Sequence, residues 1–270
     1  MAAKRRRRRK KCVSACSRGL ARPHGEIGLA EDRTQPGVGL LSAAPRGQVP
    51  AHDIIQRAGL RELAGAYPVL SEESSSEQLA GRRSWERYWL VDPLDGTSNF
   101  LHGLPHWAIS IALEHKGQIV SAVVYDAAKD EMFYAEKGAG AWMNDSKRLR
   151  VSGRHKMVEA VFATGIPFAA KRTLPATLQD LARLMPVCAG VRRFGAASLD
   201  LAYVAAGRFD GFWERELQPW DIAAGMLLVT EAGGMVGPIR EGHQPLEHGD
   251  IVAANGELFT GFANIVRTRS

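Results

Sequence analysis

The most chemically suggestive stretch of the chain is Asp92-Pro93-Leu94-Asp95-Gly96-Thr97-Ser98-Asn99-Phe100. Two carboxylates stand three residues apart at the end of an apolar run, and Pro93 between them breaks the strand ladder. On such a turn both side chains can converge on one point, where uncompensated they repel and raise each other's pKa. A divalent cation removes that penalty, and a site built only of oxygen donors suits Mg2+. Gly96 lets the backbone approach a ligand closely. Thr97 and Ser98 open a predicted helix whose unpaired N–H groups favour a phosphate. Asp-Pro and Asp-Gly taken singly are ordinary surface turns. The whole string, set between a buried strand and an apolar run, is what argues for a site.

Two other acidic segments stand out less. In Pro219-Trp220-Asp221-Ile222-Ala223-Ala224-Gly225, Asp221 is predicted at a helix N-terminus, where the dipole stabilises a carboxylate. The small residues after it permit close backbone packing. Alone, Asp221 reads as a plain N-cap. Ser71-Glu72-Glu73-Ser74 follows a short apolar stretch, and adjacent acids in a loop read, alone, as solvated.

The elements that would position these groups follow from periodicity. Residues 1–50 show no sustained period, and Pro23, Pro36, Pro45 and Pro50 interrupt any long element, so an irregular segment is expected. From about Ala51 to the C-terminus the chain reads as a single catalytic domain. Asp53 is a candidate cap for a helix with Ile54, Ile55, Leu60, Leu63 and Ala64 on its apolar face, ended by Tyr67-Pro68. Val69-Leu70 is a short strand, residues 71–87 a polar loop, and Tyr88–Val91 a buried strand leading into Asp92. Ala108–Leu113, Ile119–Tyr125, Glu131–Ala135 and Gly140–Met143 read as antiparallel strands. Strands are also expected at Ala160–Thr164, Phe209–Trp213 and Ile251–Ala254. Helices are expected at Leu174–Leu184, Ala197–Ala206, Asp221–Ala232 and from about Glu257, with Gly207 and Gly233-Gly234 as stops. Strands and helices mix without a strict βαβ rhythm, which predicts a layered α/β or α+β sandwich.

Composition bounds the function. The chain has 270 residues, 45% hydrophobic and 24% charged, ordinary for a protein with a real core. Its net charge of +6 is carried by Lys4–Lys11, eight consecutive basic residues; the remainder is slightly acidic. The basicity therefore describes a tail, either solvated or making weak nucleic-acid contact, and not a nucleic-acid-binding fold. Cys12, Cys16 and Cys188 form no disulfide framework, and zinc is not expected. Cys188 is expected as a small buried apolar residue. No apolar run is long enough to cross a bilayer and no secretory h-region follows the basic start, so a cytoplasmic protein is expected.

The three acidic strings, with Asn99-Phe100, Arg193-Phe194-Gly195, Trp213-Glu214 and Glu231-Ala232-Gly233-Gly234, resemble the inositol monophosphatase family, of the bacterial inositol-1-monophosphatase type. The likeness runs from about Ala51 to the C-terminus. It implies a fold of alternating helix and sheet layers, a frequent homodimer, and a magnesium-dependent, lithium-inhibited phosphatase. It also assigns roles. Glu72 is implied as a metal ligand that orients the attacking water. Asp92, Asp95 and the Leu94 carbonyl hold metal, and Asp221 completes a second site. Thr97 bonds the nucleophilic water, while the Gly96, Thr97 and Ser98 segment holds phosphate. Gly195, Ala197 and Glu214 line a polyol pocket. The family's opening helix and its Gly-Asp…Val-Thr…Asp pattern have no counterpart in residues 1–50, so the N-terminal helical hairpin is expected to be incomplete.

The chemistry fits that implication. Uncatalysed phosphate monoester hydrolysis is very slow, so charge neutralisation and in-line positioning must supply most of the acceleration. No Ser, Cys or His nucleophile is required, and His102, His106, His243 and His248 are expected to be structural or superficial. The expected substrate is inositol monophosphate. A nucleotide 3′-phosphate or sugar bisphosphate is the near alternative. A transcription antitermination factor with little catalysis is the distant one, since some bacterial relatives act in that process.

Overall fold

The computed structural model describes residues 67–144, 147–166 and 173–267. The helix expected after Asp53, the tail Lys4–Lys11 and the opening hairpin lie outside the described residues. Every described strand and helix lies in the unit Val69–Ser270.

Seven strands form the first sheet in sequence order: β1 (Val69–Ser71), β2 (Arg87–Asp95), β3 (Ala108–His115), β4 (Gln118–Asp126), β5 (Glu131–Glu136), β6 (Gly140–Met143) and β7 (Lys147–Arg148). β1 runs parallel to β2; the rest is an antiparallel meander. The second sheet has the order β11-β12-β10-β8-β9, from β8 (Val161–Thr164), β9 (Gly190–Arg192), β10 (Gly211–Glu214), β11 (Met235–Gly237) and β12 (Ile251–Ala254). Its β8–β10 and β8–β9 pairs are parallel and the others antiparallel.

The helices are α1 (Ser76–Gly81), α2 (Thr97–Leu101), α3 (Leu174–Leu184), α4 (Ala197–Ala205), α5 (Pro219–Glu231), α6 (Pro245–His248) and α7 (Gly256–Arg267). All nine residues of α4 are buried, and α5 is buried except at Asp221, Met226, Thr230 and Glu231. A helix apolar on every side belongs inside a protein, and these two lie between the sheets. α5 packs on β2 to β6 of one sheet and on β11 and β12 of the other. Their close approach depends on Gly225: a Cβ there would lie 2.4 Å from Leu201 Cβ.

Strand alternation divides the apolar residues into two cores. Phe212 and Ala253 face the α4/α5 layer with Leu90, Val124, Phe133, Leu199 and Leu228. Their neighbours Trp213 and Val252 face the opposite way, toward α7, with Phe162, Leu258 and Phe262. There Phe162 stacks on Phe262 at 4.3 Å between centroids, and Trp213 meets the same ring edge-on at 5.7 Å. The layers run sheet, helix pair, sheet, helix: an α/β sandwich, as the mixed pattern predicted.

Three local expectations need correction. Residues 71–87 are not all loop. Ser75 and Gln78 form a reciprocal capping box that starts α1, and a 3-10 turn follows at Arg82–Ser84. Asp221 is not the cap of α5: Gln218 is the N-cap, and Asp221 sits at the third helical position accepting from the Gln218 N–H at 2.8 Å. Cys188 is half-buried at the sheet edge rather than in the core.

Candidate active site

Topology brings the acidic strings together. β1 lies parallel to β2 with Ser71 opposite Val91, so Glu72 leaves its strand level with Asp92. The β2–β3 ladder is regular to Asp92 and shifts register before Asp95, as expected where Pro93 supplies no N–H. The shifted segment closes on itself: the Leu94 N–H donates to Asp92 Oδ1 at 2.9 Å, and Thr97 Oγ1 donates to the Leu94 carbonyl at 2.9 Å. Gly96 then turns the chain into α2 with φ +87°, a left-handed value that favours glycine. A Cβ there would also meet the His106 carbonyl at 3.0 Å.

Asp95 is buried and reaches across to α4. Its Oδ2 accepts from the Ser198 N–H at 2.8 Å and from Ser198 Oγ at 2.5 Å. Asn99, also buried, donates from Nδ2 to the His106 carbonyl at 2.8 Å and to the Phe194 carbonyl at 2.7 Å. That amide ties α2 to the loop carrying Gly195, which has φ +81°, and so to Ala197 at the start of α4. Glu214 closes β10 and, by alternation, shares the side of Phe212. Its carboxylate seats against Gly165, where a Cβ would fall 1.9 Å from Oε1.

Electrostatics report the proximity. Asp92 is pushed well above the ordinary carboxylate range, first by burial, then by Asp95 and Asp221, with Glu72 contributing. Burial is also the leading cause for Asp95, raised to about 6 against the pull of Ser198. Burial and then Asp95 raise Asp221 to about 7, and the same two causes raise Glu214 to about 8. Glu72, exposed at the rim, is raised by burial and then by Glu73. Among the described residues none of Glu72, Asp92, Asp95 or Asp221 forms an ion pair with a basic side chain. The fold supplies proximity. It does not supply a finished ligand set, since among the described residues no three His, Cys, Asp or Glu side chains stand ready to hold a metal ion.

The donor set nevertheless suits a hard divalent cation: carboxylates plus the Leu94 carbonyl, all oxygen, mutually repelling and without basic ion-pair partners among the described residues. Ser98 is exposed on α2. Two buried polar residues of α4 were missed by sequence reasoning, Ser198 on Asp95 and Asp200, whose two carboxylate oxygens have no hydrogen-bond partner among the described residues. The signal was available, because both interrupt an otherwise apolar, fully buried helix.

Residues 48–270 match the model of the inositol monophosphatase family. The chain is 45% identical over 255 residues to an inositol-1-monophosphatase of Rhizobium meliloti, covering 94% of this chain and 93% of that protein. It is 45% identical to a Nus factor SuhB of Pseudomonas aeruginosa, covering 78% of each chain. A crystal structure of extragenic suppressor protein suhB from Bartonella henselae superposes with a TM-score of 0.73 at 43% identity, covering 82% of this chain and 84% of that one. With a matching fold, sequence and family model, the chain belongs to the inositol monophosphatase family.

Proposed function

We propose that the chain hydrolyses a small phosphate monoester, inositol monophosphate foremost, with Mg2+ held by Glu72, Asp92, Asp95, the Leu94 carbonyl and Asp221. One observation carries this reading: Glu72 just after β1, Asp92 and Asp95 at the end of β2, and Asp221 in α5 come near enough that Glu72 raises the proton affinity of the other three and Asp95 that of Asp92 and Asp221, and none has a basic ion-pair partner among the described residues. Bound Mg2+ would lower the pKa of a coordinated water, screen the phosphoryl oxygens and stabilise the leaving alkoxide.

The chain's own residues would do the rest. Thr97 Oγ1 commits its proton to the Leu94 carbonyl, so its lone pairs are left to accept from a water and orient it. Glu72, at the rim with a raised proton affinity, would take the proton of that water. Amides of Gly96 and Thr97 at the start of α2 would donate to the phosphate. Glu214, fixed against Gly165, would accept from substrate hydroxyls, with Gly195 and Ala197 shaping the same pocket. A hydroxyl-rich alcohol is favoured on that ground over a nucleotide 3′-phosphate or sugar bisphosphate.

The test is phosphate release from inositol 1-phosphate with and without Mg2+. Activity should vanish with chelator, and Asp92→Asn should lower kcat by about 100-fold or more, the scale seen when a group stabilising transition-state charge is removed. Equal release in chelator would end the proposal.

A second reading has support in the SuhB name carried by a relative of equal identity. It makes the chain a nucleic-acid-associated Nus-type factor, with Lys4–Lys11 the candidate contact. If so, deleting residues 1–16 removes RNA binding, steeply salt-dependent in the full chain, and leaves phosphatase activity intact.

A further inference from the structure

The helix α4 begins without a cap of its own. Its N-cap is Ala196, which has no side-chain acceptor for the free N–H groups of the first turn. Asp95, a hundred residues earlier in the chain, fills that role. Its Oδ2 takes the Ser198 N–H at 2.8 Å and the Ser198 hydroxyl at 2.5 Å, and the Ala197 N–H bears on the same carboxylate. Ser198 is fully buried, so these bonds do not compete with solvent. The hydroxyl distance is that of a strong bond to an ionised acceptor.

We propose that Ser198 is a positioning residue for the metal centre: its amide and hydroxyl together fix one oxygen of Asp95 against α4 and so orient the other for a divalent cation. This rests on the reading of Asp95 as a metal ligand. Asp95 rejoins the ladder opposite Ala108 only after a register shift, so pairing fixes its backbone while its side chain reaches across to α4. A carboxylate there can turn about its χ angles, and each rotamer presents its oxygens differently. Two donors from one residue on a rigid, buried helix select a single rotamer. Without the hydroxyl only backbone amides would hold the carboxylate; the hydroxyl adds a second prong from the same residue. The same contact joins α4 to the cluster, so the helix carrying Ala197 and the ligand Asp95 are held in fixed relation.

Outer partners of ligating carboxylates typically carry 10–100-fold in metal affinity. Because the Ser198 amide survives substitution, Ser198→Ala should weaken Mg2+ binding by about 10-fold, the lower end of that range. The measurement is calorimetric titration of the full chain with Mg2+, with the Mg2+ requirement for phosphate release as companion. At saturating Mg2+, kcat and KM for inositol 1-phosphate should stay within about two-fold, which separates positioning from general damage. Ser198→Cys, nearly isosteric and a poor donor, should fall between alanine and wild type, and serves if the alanine variant does not fold. Unchanged Mg2+ affinity in a folded Ser198→Ala or Ser198→Cys protein overturns the proposal. Asp95→Asn is the discriminating control. If it binds Mg2+ like the wild type, the metal-site reading itself falls and the Ser198 role with it. If it loses binding while Ser198→Ala does not, only the Ser198 role falls.

Discussion

A single buried carboxyl shows how much of this fold is held by its surroundings. Asp200 lies on α4, almost fully buried, and among the described residues neither oxygen meets a donor. Burial raises its pKa well above 3.8, Glu214 and Asp95 raise it further, and Arg193 pulls the other way. The folded chain therefore holds a proton that the unfolded chain releases near 3.8. Above that value the folded state binds more protons, so this group's contribution to stability declines as pH rises toward its raised pKa. Asp200→Asn keeps the shape and removes the charge. The variant does not share that decline, so its melting temperature relative to the wild type should be higher at pH 8 than at pH 5, where the wild-type carboxyl is closer to neutral. A melting temperature lowered equally at both pH values would mean that Asp200 is satisfied by a partner in solution. Asp200 was legible in the sequence as a polar interruption of an apolar helix. That its carboxyl would be left unpaired was not, because that depends on Glu214 and Asp95, which the fold brings near from elsewhere in the chain.

At the level of elements, the α4/α5 pair shows two effects in opposition. Gly225 in mid-helix costs about 1 kcal/mol relative to alanine in intrinsic propensity. In isolation, then, Gly225→Ala would stabilise α5. Packing decides the other way. The added Cβ would lie 2.4 Å from Leu201 Cβ and 2.5 Å from its Cδ1, and the Cβ of a helical residue cannot swing aside. Overpacking of this kind costs about 1–3 kcal/mol, so Gly225→Ala should lower the melting temperature, and Leu201→Ala, which removes the Cδ1 contact but keeps the Cβ, should cost less in that background than it does alone. Two substitutions with strictly additive effects would argue that the helices separate to admit the methyl. The helix pair was readable in outline: Leu174–Leu184 for α3 is met residue for residue, and α4 and α5 differ only at their ends. The short elements were not. β7, β9, β11 and α6 span two to four residues, too short for any period to declare itself, and are held by tertiary pairing. α1 was readable in principle from Ser75 and Gln78, a capping signature hidden in a loop-like polar composition.

The acids come from three layers: Asp92 and Asp95 from the seven-stranded sheet with Glu72 just after its first strand, Glu214 from the five-stranded sheet, and Asp221 from the helices between. Such a cluster opposes folding unless a cation joins it, and the pH dependence gives that statement a sign. Asp95 and Asp221 are raised from 3.8 to about 6 and about 7, and Glu214 from 4.5 to about 8, with burial the first cause in each. Between the ordinary and the raised values the folded chain binds more protons than the unfolded one. Stability in chelator should therefore fall as pH rises from about 4 to about 8. Mg2+ takes only the ionised carboxylates, so protons compete with it at the acid end of that window. At pH 8 a Mg2+ concentration about 100 times the dissociation constant would add about 2.7 kcal/mol. That is roughly 5–10 °C at about 2–4 °C per kcal/mol. At pH 5 and the same Mg2+ the increment should be small. Taking the difference between Mg2+ and chelator at each pH cancels the titration of remote groups, so the increment reports the cluster alone. An increment equal at the two pH values, or one retained in Asp92→Asn, would place any bound Mg2+ somewhere other than among these carboxylates.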